Sequence, residues 1–193
     1  MSSQNLNRLQ AIIRVNRLFQ ERRFADAGKL ASQDKEAFDL LVEMLRVAKS
    51  AICFSAAVAL IGTGQKALPP LIEALEDGQF IVRQAAALAL GDVPDGRAVA
   101  PLVERLEDVH EAVRQAAAVS LGKIGDPAAV APLIDALTDE RSIVRRMAAS
   151  SLGRIGDERA LPELERVVRA DPETAESAEA SIAAIRGTVS GEC

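Results

Sequence analysis

Aromatic residues make up only 3% of this 193-residue chain: five Phe, no Trp and no Tyr. The core must therefore be built from Ala, Leu, Ile and Val, and an alanine-rich core requires helices that approach closely. Cysteine is equally scarce, and Cys53 and Cys193 are too few for a disulfide framework. A surplus of positive charge is also missing. The net charge is −5 and the isoelectric point is near 5.1, which speaks against a general nucleic-acid binder that must neutralise phosphates. The opening MSSQNLNRLQ has no apolar core of a secretory signal. The apolar stretch from Ala51 to Gly62 is shorter than the roughly 18 to 20 residues that span a bilayer. Together these absences predict a cytoplasmic protein without a transmembrane segment. No G-x-G-x-x-G, Walker loop, G-x-S-x-G or H-E-x-x-H pattern occurs, so no catalytic residue, cofactor or metal is expected.

What is present is a repeat. IVRQAAALALG starts at Ile81, AVRQAAAVSLG at Ala112 and IVRRMAASSLG at Ile143, each 31 residues after the last. Leu71, Leu102, Leu133 and Leu164 fall in one column, and Pro70, Pro101 and Pro132 precede the first three. Proline suits the first turn of a helix, where backbone N–H groups have no intrahelical partner. Each unit therefore reads as a short helix from the Pro-Leu pair, a linker ending in Asp77, Asp108 or Asp139, and a second helix over the Val-Arg-x-Ala-Ala run. In that second helix Val82, Ala86 and Leu90 recur at i, i+4 and i+8, with Ala85 and Ala89 widening the apolar face. Gly91, Gly122 and Gly153 follow the last periodic leucine and are expected to end the second helix as left-handed caps. Asp126-Pro127 and Asp157-Glu158 supply turn chemistry for the next unit.

One hairpin of this size cannot hide its own apolar stripe, so neighbours must stack, and the expected fold is an all-α solenoid, a superhelix of about five repeats. AVRQAAAVSLGKIGDPAAVAPLIDAL resembles the short HEAT-like repeats named after phycobilisome lyases (the E-Z type), a resemblance specific to Leu68–Gly156. Tetratricopeptide and ankyrin repeats would need Trp and Tyr or a TPLH-like turn, all absent. The expected layout is a basic helical cap over 1–34 and an array over 35–186. Its units are 35–67, 68–98, 99–129, 130–160 and 161–186, and a tail over 187–193 follows. The first unit is looser, the last has lost the Val-Arg element, and its acids read as a polar closing cap.

Asp77, Asp108 and Asp139 lie six residues before Arg83, Arg114 and Arg145, so stacking places acids and arginines in parallel columns. The resemblance implies a structural ladder, with acids capping the second helices and arginines bridging neighbours. His110 with Glu111 is similar to the His-Glu pairs of deoxyhypusine hydroxylase, an iron enzyme of related repeats. One histidine cannot assemble that ligand set, and His110 precedes Val113-Arg114, so it reads as an exposed linker residue. Cys53 takes the position Arg83 holds in the next unit and reads as a small, half-buried apolar residue. Cys193 falls on the tail.

The informative surface is the one the repeats do not hold constant. After the ladder arginines come Gln84, Gln115 and Arg146, and a turn later Leu88, Val119 and Ser150. The second helices are expected to line the concave side, which makes this strip the candidate partner surface. Charge is uneven too. Residues 1–32 carry six basic groups against two acids, a local +4 that leaves about −9 for the rest. Leu6, Leu9, Ile13 and, on the adjoining flank, Ile12 and Phe19 share one side of that basic first helix. It reads as a cap over the first repeat or as a binder of an acidic partner or membrane surface. The expected function is a non-catalytic scaffold or adaptor for a protein partner on the concave face, with end repeats able to pair as a hetero- or homodimer. The alternative implied by the resemblance is a bilin lyase or bilin-lyase-like chaperone subunit acting on a phycobiliprotein. In that case Arg146 and the Arg22-Arg23 pair would meet propionates.

Overall fold

Alternating proline-led and alanine-rich segments become alternating short and long helices. The computed structural model describes residues 3–47 and 50–189, and among these every regular element is helical. The chain is an all-α solenoid. It divides into two units, Met1–Val93 and Pro94–Cys193.

The first unit holds α1 (Ser3–Gln20), α2 (Phe24–Gln33), α3 (Lys35–Leu45), α4 (Ser50–Ile61), α5 (Leu68–Ala74) and α6 (Phe80–Gly91). Segment 1–34 is thus two helices. Asp34 starts α3 by accepting the N–H groups of Glu36 and Ala37 at 3.0 and 3.2 Å, which satisfies two donors that have no intrahelical acceptor. Helices α2, α4 and α6 pack in a row. At Gly28 in α2, a Cβ would stand 2.3 Å from the Ala59 carbonyl oxygen of α4, so these two backbones touch. Helix α1 buries Ala11 and Val15, whereas Leu6, Leu9 and Ile13 face solvent. Two small side chains let α1 lie close, and the larger ones are left outside.

The second unit holds α7 (Val99–Glu104), α8 (Glu111–Ile124), α9 (Val130–Asp135), α10 (Ser142–Ile155), α11 (Leu161–Ala170) and α12 (Pro172–Val189). Pro101 and Pro132 sit in the first turns of α7 and α9. Asp126 and Asp157 each accept the N–H two residues on, at 2.8 and 2.9 Å, and start the turns that lead into α9 and α11. The long helices α8, α10 and α12 pack side by side. Leu71, Leu102, Leu133 and Leu164 are fully buried, as are Val82, Ala86 and Leu90. Burial of each leucine contributes about 1.5–3 kcal/mol.

The glycine reading needs correction. Gly122 and Gly153 do not end their helices: α8 runs on to Ile124 and α10 to Ile155, and the left-handed caps are Gly125 (φ 74°) and Gly156 (φ 77°). Gly91 is the last residue of α6, followed by Asp92 in a right-handed conformation. Gly122 is glycine because of its neighbour. A Cβ there would lie 2.4 Å from Ser151 Oγ and 2.8 Å from its Cα; at Gly153 the clash is with Ser181. Each serine also donates to a carbonyl of the adjacent helix, Ser151 to Ala118 at 2.7 Å and Ser181 to Ala149 at 2.9 Å.

This separates two kinds of glycine by experiment. Gly122→Ala is expected to lower the unfolding free energy in urea by about 1–3 kcal/mol through overpacking, and Ser151→Gly restores part of that loss. Gly125→Asn is tolerated, because Asn adopts the left-handed conformation, whereas Gly122→Asn is not. Equal tolerance of Asn at both positions would refute the packing role.

Candidate interaction surface

Two sets of residues on the second helices compete for a functional reading: the charged ladder and the strip beside it. The ladder is built from backbone and side chain together. Asp77, Asp108 and Asp139 each accept the N–H two residues on, from Gln79, His110 and Arg141 at 2.8, 2.9 and 2.8 Å. Those turns aim the carbonyls of the same acids at the arginines. Arg83, Arg114 and Arg145 donate Nη1 to the Asp77, Asp108 and Asp139 carbonyls at 2.8, 3.0 and 2.9 Å.

In the second unit the rest of each guanidinium reaches the following repeat. Arg114 donates Nε and Nη2 to the two carboxylate oxygens of Asp139 at 2.7 and 3.0 Å, a forked pairing with both side chains about nine-tenths buried. Burial raises the pKa of Asp139, but the bonds from Arg114 and the Arg141 N–H outweigh it and hold the carboxyl below its ordinary value. Arg145 makes the same fork to Asp171 at 2.6 and 3.4 Å and reaches Glu173 at 3.1 Å. The Arg145 bonds, then the Thr174 hydroxyl, hold the Asp171 carboxyl down to about 2. Sequence reasoning missed this last rung, because Asp171 lies 32 residues beyond Asp139, one more than the repeat step.

Cys53 occupies the equivalent place on α4. It is fully buried rather than half-buried, its Sγ lies 3.8 Å from the Ile81 carbonyl oxygen, and burial, with the Asp77 charge second, pushes its thiol up to about 11. Such a thiol is no nucleophile at neutral pH. His110 is half-buried at the start of α8, not an exposed linker residue, because its turn is drawn in by Asp108. Among the described residues no group of three or more His, Cys, Asp and Glu side chains is placed to hold a metal ion. Cys193 lies outside the described residues.

The strip differs from the ladder in having its polar ends uncommitted. In the second unit Gln115 and Val119 of α8 are half-buried, and Arg146 and Ser150 of α10 are exposed. In the first unit Gln84 and Leu88 of α6 are half-buried, and the matching positions on α4 are Phe54, half-buried, and Val58, 50% exposed. Among the described residues the side chains of Gln84, Gln115 and Arg146 make no hydrogen bond. The strip is apolar with an amide in the first unit and gains a cation in the second. Phe54 and Val58 were legible once Cys53 was aligned with Arg83.

Residues 48–121 and 99–185 match the family model described as HEAT repeats, which together is well over half of the chain. The chain belongs to the HEAT-repeat family. Solved HEAT and armadillo folds share its architecture. The complex of CpcE and CpcF of phycocyanin lyase from Nostoc sp. PCC7120 is similar at 22% identity and a TM-score of 0.68, over 79% of this chain and 99% of that one. A designed armadillo repeat protein in complex with the peptide (KR)4 is similar at 21% identity and a TM-score of 0.59, over 91% and 98%. Human deoxyhypusine hydroxylase is similar at 20% identity and a TM-score of 0.56, over 83% and 79%. No curated protein matches the sequence. Among the described residues no helix is long and apolar enough to cross a membrane.

The ladder has a testable pH signature. The folded-state pKa of Asp171, about 2, lies below the ordinary value near 3.9, so its contribution is full above about pH 4 and lost as pH falls through about 2. Asp171→Asn is expected to lower the urea midpoint at pH 7 and to lose most of that deficit at pH 2. An equal deficit at both values would remove the ion pair from the account.

Proposed function

We propose that this HEAT-repeat chain is a non-catalytic scaffold or adaptor that binds a protein partner through the strip residues of its second helices, Gln115 and Arg146 in the second unit and Gln84 in the first. One observation carries the reading: the ladder arginines are used up within the array, while Gln84, Gln115 and Arg146 beside them are uncommitted. A side chain free of internal bonds is available to a partner without disturbing the stack. The designed armadillo protein that holds a (KR)4 peptide supports the use of such a fold for protein recognition. The finer placement within the phycobilisome-lyase type of repeat, pairing through end repeats and a cytoplasmic location belong to the same proposal.

A second reading rests on the likeness to the CpcE–CpcF complex, which covers 99% of that chain. Here the protein is a bilin-lyase-like subunit handling a bilin of an antenna protein, with Arg146 or the Arg22-Arg23 pair meeting propionates.

Affinity purification of the tagged protein from its own cells decides between them. Under the first reading a colourless eluate carries one stoichiometric, salt-sensitive protein, and Gln115→Glu with Arg146→Glu lowers its recovery at least tenfold without changing Tm. Undiminished recovery would refute the strip. Under the second, the eluate or the purified protein mixed with a bilin shows a shifted visible band; an unshifted spectrum removes that reading.

A further inference from the structure

The first unit carries a surface that the ladder does not use and that shares only Phe54 with the strip. Leu6, Leu9 and Ile13 of α1 are 48%, 45% and 60% exposed, and they follow one another on one helix face. The same face continues a turn later through Asn16 and Gln20, and both of these line a cavity of about 730 Å³. Its apolar walls come from four helices and include Phe19, Phe24, Met44, Ile52 and Phe54. The rings of Phe19 and Phe24 stand edge to face, 5.2 Å apart at 77°, so two of those walls are fixed against each other. An exposed apolar stripe therefore runs into an aromatic-walled cavity on one continuous face. From Leu6 to Gln20 that face spans about 20 Å at 1.5 Å per helical residue.

The charge around it is mainly positive, with six basic groups against two acids in residues 1–32. Arg22 lines the cavity, Arg17 borders the stripe, and Arg14 lies on the same flank. Arg17 shares Glu21 at 3.0 Å, while Arg14 and Arg22 form no ion pair among the described residues.

Arg22 is also held in an unusual backbone conformation. It ends α1 at φ 55°, with the Arg23 N–H bonded to the Leu18 carbonyl at 2.8 Å and the Arg22 N–H to that of Phe19 at 3.1 Å. That closure normally takes glycine, which adopts it without strain. A long cation sits there instead, lining an aromatic cavity, and its side chain makes no hydrogen bond or ion pair among the described residues.

We propose that this face docks an acidic amphipathic helix of a partner protein, about four turns long. Its apolar anchors lie along Leu6, Leu9 and Ile13, one large side chain enters the cavity, and its carboxylates meet Arg14, Arg17 and Arg22. A helix fits because the stripe has helical periodicity, and the acids follow from charge complementarity. A second copy meeting it through this same face would bring like charges together and be repelled.

The test is fluorescence anisotropy at low salt, using the full-length protein and two labelled 18-residue amphipathic peptides. Both carry Leu and Phe at i, i+3, i+4 and i+7; one has Glu at the polar positions, the other Lys. The Glu peptide is expected to bind at least tenfold tighter than the Lys peptide, and added salt narrows the gap. Ile13→Asp weakens it at least tenfold. Arg22→Gly weakens it about fivefold or more while Tm stays level or rises, a combination that a purely structural arginine cannot produce. Equal binding of the two peptides, no binding, or affinity unchanged in both variants overturns the proposal. So does uptake by phosphatidylserine vesicles without peptide binding, or self-association abolished by Ile13→Asp.

Discussion

Close approach of the long helices is the constraint on which the second unit depends. Helices α8, α10 and α12 lie against each other where glycine meets serine, and at Gly122 and Gly153 there is no room for a Cβ. The hydroxyl at each contact donates to a main-chain carbonyl of the adjacent helix, so the spacing is set by backbone and not by interlocking bulk. Alanine is the natural filler for the remaining contacts. A larger residue would hold the helices apart and break the hydroxyl bond.

The arginine ladder works at the other end of the same helices and under the same logic. Each guanidinium takes the carbonyl of its own linker, and Arg114 and Arg145 also take the carboxylate of the next. Successive repeats are thereby tied at the start of the second helices by charge and toward their ends by hydroxyls. Because both ties in the second unit run through backbone geometry, the residues between them, such as Gln115 and Arg146, are released from structural duty. The repeat position that holds Gln84 and Gln115 changes to arginine at Arg146, and all three belong to the uncommitted set.

Much of this architecture was legible because the signals repeat. The leucine column, the alanine face and the linker acids recur every 31 residues, and a pattern that recurs at constant spacing declares its own unit. The two glycine roles were not separable from sequence, since Gly122 and Gly125 both stand near a helix end and the serine that decides between them sits a whole repeat away at Ser151. His110 and Cys53 were read as less buried than they are because burial depends on neighbours that a single helix pattern does not name. The orientation of α1 was hidden for a related reason. Hydrophobicity favours burying Leu6, Leu9 and Ile13, but contact distance favours Ala11 and Val15, and distance prevails. The partner strip was visible only as variation, and the contribution of Phe54 and Val58 to it required the degenerate first repeat to be aligned through Cys53.

That degenerate repeat carries a consequence of its own. Between α4 and α6 the place of a guanidinium is taken by a buried thiol, pushed up to about 11 by burial and then by the Asp77 charge, so that thiol stays neutral at and below pH 9. The Arg114 and Arg145 junctions, by contrast, weaken as their carboxylates take up protons. Acid thus acts on the array unevenly along its length. The α4 junction has no guanidinium–carboxylate pair at this position to lose, whereas the Arg114 and Arg145 junctions each lose one when their carboxylates are protonated.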